Sequence, residues 1–126
     1  MSAAVALYGE VELLRSNSGG AASAFTADER DPVIAGHYPG FPVLPGVYLV
    51  EAVDRTVRHW AEPTTQVELT AMDRCRFHQP VYPGDRVFVE AAITETEDGL
   101  VAKGSLATNR GKIADIRLRY RKEHAK

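Results

Sequence analysis

His37 and Glu51 are the two residues of this chain whose types and setting best suit proton transfer. They stand fourteen positions apart in the stretch "GHYPGFPVLPGVYLVE", residues 36–51. Pro39, Pro42 and Pro45 each fix their own backbone torsion and restrict the residue before them. Gly36, Gly40 and Gly46 permit sharp turns or close backbone approach. A loop that is both bent and stiff suits a histidine held in one place. A rigid connector carrying an incidental histidine fits the same pattern. The loop runs into a helix start, where backbone N–H groups, that of Gly46 among them, lack intrahelical partners and favour negative charge. An oxyanion or polarised carbonyl fits there, and glycine allows it close. Histidine plus such donors is apparatus for removing a proton next to a carbonyl.

Glu51 admits two readings. Tyr48, Glu51, Arg55, Arg58 and Glu62 share a stripe at helical spacing. A solvated face with Glu51–Arg55 and Asp54–Arg58 ion pairs accounts for it without catalysis. If Glu51 is instead enclosed, desolvation favours its protonated form and lets it act as an acid. The other histidines carry less. His59 falls on the helix's second half and reads as solvated, His124 lies in the terminal "RKEHAK", and His78 follows a strand near a prospective pocket rim. No two histidines are spaced two to four apart and there is one cysteine, so no metal site is expected. Cys75 reads as a structural thiol, with no histidine arranged to activate it.

One long helix is predicted to hold Glu51. From Pro45 to about Ala61, Val47, Val50, Val53, Val57 and Trp60 recur at spacings of three and four. Proline suits its first turn and Pro63 stops it. Strand character marks Gln66–Phe77, Arg86–Thr96, Leu100–Thr108 and Lys112–Arg121, with turns at Asp98-Gly99 and Asn109-Arg110-Gly111. Before the helix, Tyr8–Arg15 and Ala21–Ala27 form a weaker hairpin through residues 17–20. The order predicts an α+β fold, a curved antiparallel sheet wrapped around one central helix. Its open edge invites a second copy, so a symmetric dimer is expected.

The 126 residues suit a single domain over 1–126. A net charge of −2 with scattered Lys and Arg argues against nucleic acid as the main partner. No apolar run approaches the roughly 20 residues that span a bilayer. "MSAAVALYGE" has no basic leader or long apolar core, and a cytoplasmic location is expected.

"GHYPGFPVLPGVYLVEA" resembles the signature of the hotdog-fold (3R)-hydroxyacyl-acyl carrier protein dehydratases, in which a histidine, two Pro-Gly pairs and a helical acid recur in this order. "MDRCRFHQPVYPGD" resembles the family's strand and its Pro-x-x-Pro-Gly-Asp turn, and "GLVAKGSLATNRGKIADI" its final hairpin. The resemblance implies a dimer with two sites at the subunit interface, where His37 of one subunit faces Glu51 of the other. It implies that His37 takes the α-proton of a 3-hydroxyacyl thioester and Glu51 protonates the departing hydroxyl. The Gly46 N–H would hold the thioester carbonyl and the Val43 carbonyl would orient the His37 ring. The acyl group would arrive on the phosphopantetheine arm of an acyl carrier protein, with no metal or redox cofactor. Arg74, Arg76 and Lys112 are candidates for docking that acidic partner.

Two departures from the family stand out. Arg55 replaces the usual glutamine one turn after the acid, and a cation there favours ionised Glu51 and weakens it as an acid. The segment before the first strand is short, which bears on pocket closure and acyl length and points to polyketide or polyene synthesis as readily as to fatty-acid synthesis. A hotdog thioesterase, an enoyl isomerase, and a non-catalytic partner of a heterodimeric dehydratase or a higher oligomer are the alternatives.

Overall fold

A computed structural model describes residues 11–28, 44, 46–62 and 65–123. Strands β1 (Glu12–Asn17) and β2 (Gly20–Thr26) precede a helix, α1 (Gly46–Ala61). Strands β3 (Val67–Phe77), β4 (Arg86–Glu95), β5 (Gly99–Thr108) and β6 (Gly111–Lys122) follow. They form one antiparallel sheet in the order β1-β2-β4-β5-β6-β3. The helix lies on one face of this sheet, as the strand alternation requires. In β4, Val87, Val89, Ala91 and Ile93 point inward while Phe88, Glu90 and Ala92 point out. In β6, Ile116, Leu118 and Tyr120 supply the same inner face.

The helix buries Leu49, Ala52, Val53, Thr56 and Val57, a set with helical spacing. This corrects the stripe expected from sequence. Val47 is 48% exposed, and Val50 and Trp60 are only partly buried. Apolar residues run almost all round the first turns, so valine spacing alone did not identify the core side. Trp60 is held at the rim because its indole N–H donates to the Asn17 carbonyl at 2.6 Å. Gly104 lets the helix come close: a Cβ there would lie 2.8 Å from Val53 Cγ2 and 3.2 Å from the Ile116 carbonyl oxygen.

The first hairpin is displaced from its expected position. Within the described residues β1 runs from Glu12 to Asn17, beyond the predicted end at Arg15. The Asn17 side chain accepts the Gly19 N–H at 2.9 Å and closes a two-residue turn, so pairing continues up to it. Residues 8–10 of the expected strand lie outside the described residues. At the far side of the sheet, β3 is an edge strand interrupted by bulges between Leu69 and Ala71 and between Met72 and Arg74. It exposes Leu69, Met72 and Phe77.

Candidate active site

His37 and Val43 lie outside the described residues, but both flanks of their segment are anchored to one turn. On the N-terminal side the Ala27 N–H donates to the Asp85 carbonyl at 2.9 Å, and the Gly84 N–H donates to the Ala27 carbonyl at 2.6 Å. On the C-terminal side the Leu44 N–H donates to the Val81 carbonyl at 2.9 Å. Residues 81–85, "VYPGD", thus clasp the chain where it leaves β2 and where it enters α1. The two motifs that stood out in the sequence, 36–52 and 73–85, are physically bonded.

The turn is itself braced. The Tyr82 N–H donates to Asp85 Oδ2 at 2.8 Å, and Gly84 adopts a φ of 89°, which favours glycine. Arg110 reaches across from the β5–β6 turn, donating to both Asp85 oxygens at 2.9 and 2.7 Å and to the Pro80 carbonyl at 3.2 Å. Its guanidinium also lies 5.2 Å from the centre of the Tyr82 ring. Hydrogen bonds from Arg110 hold the Asp85 carboxyl below the usual carboxylate range. In the sequence Asp85 ends a Pro-x-x-Pro-Gly-Asp turn and Arg110 lies in the turn Asn109-Arg110-Gly111. Nothing in local spacing links residues 25 positions apart.

Gly46 is the first residue of α1, and the Phe77 ring lies against it, so closely that a Cβ at this position would collide with the ring. The end of β3 therefore packs directly on the helix start, with Phe77 itself 49% exposed. Glu51 follows five residues, or about 7.5 Å of helix rise, later.

The ion pairs expected on the helix both form, but the solvated face expected around them does not. Arg55 Nε donates to Glu51 Oε2 at 3.0 Å, with only 13% and 7% of the two side chains exposed. Arg58 Nε donates to Asp54 Oδ2 at 3.0 Å, and Asp54 is also buried. The sheet curls over this side and supplies partners. The Tyr120 hydroxyl donates to Asp54 Oδ1 at 2.6 Å, and an Arg58 N–H donates to the Val67 carbonyl at 3.0 Å. Helical spacing placed the charges on one stripe but carried no information on what β6 lays over it.

Burial, followed by the charge and hydrogen bond of Asp54, pushes the Tyr120 phenol well above its ordinary value of 10. Folding therefore favours neutral Tyr120. That stabilisation is complete below pH 10 and is lost progressively as pH rises above it, because only the unfolded chain ionises there. Tyr120→Phe should cost about 1.5–3 kcal/mol near neutrality, the usual range for a hydrogen bond to a charged acceptor. Urea unfolding at several pH values checks this, with the gap between wild type and variant narrowing above pH 10. A gap independent of pH would show that the Tyr120 phenol ionises alike in the folded and unfolded chains.

The remaining candidates are dispersed. Arg74 and Arg76 stand exposed on β3. Lys112 is engaged, its Nζ 3.0 Å from Asp115 Oδ1, and His78 Nε2 lies 3.0 Å from the other Asp115 oxygen. His78 is thus a surface partner of Asp115, and the two contacts, that of His78 first, hold the Asp115 carboxyl below its usual range. Cys75 is partly buried against the core, and burial pushes its thiol up, in keeping with a structural role. Among the described residues no three His, Cys, Asp or Glu side chains gather as a metal site. None of their helices is long and apolar enough to cross a membrane.

A six-stranded antiparallel sheet wrapped on one helix, with an acid enclosed on that helix, defines a hotdog-fold protein. Known structures agree. A chain of the dehydratase heterocomplex ApeI:P from Xenorhabdus doucetiae superposes with a TM-score of 0.73, covering 90% of this chain and 81% of that one at 11% identity. A model of the ApeI dehydratase family matches residues 14–113, and the chain belongs to this ApeI-like family. Curated relatives include the 3-hydroxyacyl-acyl-carrier-protein dehydratase FabZ of Erwinia tasmaniensis, 34% identical over 90 residues, or 66% of this chain and 60% of the relative. FabZ of Haemophilus influenzae is 32% identical over 90 residues, 67% of this chain and 61% of the relative. The chain thus spans about three fifths of the length of these relatives.

Proposed function

We propose that this chain, working as one domain, dehydrates 3-hydroxyacyl thioesters borne on an acyl carrier protein to trans-2-enoyl thioesters. Fatty-acid and polyketide or polyene synthesis are the settings that use this step, in the cytoplasm. The observation that carries the reading is the enclosure of Glu51 on the helix entered through the anchored segment that bears His37. Membership of a dehydratase family supports it. In this scheme His37 takes the C2 proton while the C2–C3 double bond forms and the C3–O bond breaks. Glu51 gives its proton to the departing hydroxyl, which leaves as water, and the proton on His37 then returns the pair to its starting state. The Gly46 N–H receives the thioester oxygen at the helix start, where unpaired donors stabilise developing negative charge. The Val43 carbonyl orients the His37 ring. No cofactor takes part in these steps.

The working unit is a homodimer in which His37 of one subunit faces Glu51 of the other. The open β3 edge with its exposed Leu69 and Met72 supports association along that strand. The test is direct. The purified protein, given 3-hydroxyacyl carrier protein or a pantetheine mimic, should yield an enoyl thioester lighter by one water. Free thiol release or a shifted alkene would instead identify a thioesterase or an isomerase. No product across chain lengths would sink the enzyme reading for the isolated chain.

The Arg55–Glu51 pair favours one second reading, a non-catalytic subunit that retains the fold for assembly with an active partner. The Xenorhabdus neighbour is a heterocomplex by name, which makes the arrangement reasonable for this family. Turnover by the purified homodimer excludes it.

A further inference from the structure

Apart from Arg76, the surface cations on the described sheet are matched to acids with one exception. Arg15 meets Glu90, Arg119 meets Asp73, Arg121 meets Glu68, Lys122 meets Glu95 and Lys112 meets Asp115. The exception is a row of three. Lys103 on β5 stands opposite Arg117 on β6, and Arg117 stands opposite Arg74 on β3. All three are exposed, and among the described residues none makes an ion pair or hydrogen bond. Like charges directly opposite on neighbouring strands destabilise a sheet. Neighbouring strands lie about 4.8 Å apart, so the row spans roughly 10 Å. It borders an open depression of about 310 Å³ over Gly104 and Ile116. Asp115 lies at its margin, but both its oxygens are already engaged by His78 and Lys112.

We propose that the Arg74–Arg117–Lys103 row is the docking surface for an acidic helical face of the acyl carrier protein. The inference rests on the carrier-borne substrate proposed above and revises the docking set read from sequence. Lys103 and Arg117 join Arg74, Lys112 is already paired with Asp115, and Arg76 stands two residues along β3 opposite Asp115, outside the row. The spacing favours a protein surface over a single phosphate. Carboxylates seven residues apart on a helix lie about 10.5 Å apart along its axis, matching the ends of the row. The position is also appropriate. Arg74 lies three residues, about 10 Å of strand, before Phe77, whose ring packs on the helix start at Gly46. Association along the β3 edge would extend the sheet and leave this outer face open.

The test uses the full chain and a carrier protein without its phosphopantetheine arm, so that no thioester chemistry intervenes. Wild type should bind this apo-carrier with an affinity that falls with salt. The triple reversal R74E/R117E/K103E should weaken binding by about tenfold or more and flatten the salt dependence. In turnover, the penalty on carrier-borne substrate should exceed that on a free pantetheine thioester by a similar factor. The neutral triple R74Q/R117Q/K103Q should weaken binding by an intermediate factor, and it carries the test if the reversal fails to fold. Equal binding of apo-carrier by wild type and the folded variants overturns the proposal. So does binding that requires the phosphopantetheine arm, which would point to phosphate recognition. If neither substrate is dehydrated but apo-carrier binding still depends on the row, the docking inference stands and the dehydratase reading falls.

Discussion

His37→Ala is expected to lower dehydration by about a thousandfold, within the range that a positioned acid–base group contributes. The α-hydrogen of a thioester is a weak acid, and its removal needs a base aligned with the C2–H bond. The anchoring of residues 27 and 44 to the Val81–Asp85 turn gives the intervening segment two fixed ends. The loss should appear equally in the reverse reaction, hydration of an enoyl thioester, because both directions share one transition state. Steady-state turnover in both directions, beside the thermal midpoint and sedimentation of the variant, separates a chemical defect from a folding defect. Retained turnover would remove His37 from the reaction.

Legibility in the sequence followed the range of the forces involved. Local order was readable because it depends on neighbours. Pro45 and Pro63 bracket the helix, the alternation in "VFVEAAITE" marks β4, and turn residues separate β5 from β6. The candidate motif could be picked out because His37, Gly46 and Glu51 lie within one short stretch. Contacts between distant residues were not. Arg110 on Asp85, Tyr120 on Asp54 and the Phe77 ring on Gly46 each join residues far apart in the chain. The cation row belongs to this group, since Arg74, Lys103 and Arg117 come together only through strand register. Burial of the charged stripe was misjudged for the same reason. A helix pattern fixes which side chains share a face, while the curling sheet decides whether that face meets water.

Glu51→Gln carries the second large effect, and Arg55 makes it informative. The substitution keeps the shape of the side chain but removes the proton that would go to the leaving hydroxyl. Turnover should fall by about a hundredfold or more. It also leaves the Arg55 guanidinium, with only 13% of its side chain exposed, facing a neutral amide. Removing one charge of an enclosed pair is destabilising, and loss of the charge-assisted hydrogen bond sets the scale at roughly 2 kcal/mol. A structural role and a chemical role for Glu51 therefore predict the same two symptoms in the single variant. The double variant E51Q/R55Q separates them. It removes both charges together, which is far less costly than removing one, and it restores the glutamine that the family resemblance places one turn after the acid. If Glu51 is the acid, urea unfolding should show stability recovered while turnover stays about a hundredfold down. If Glu51 serves only to hold Arg55, stability and turnover should recover together, and the proton for the leaving group must come from another side chain.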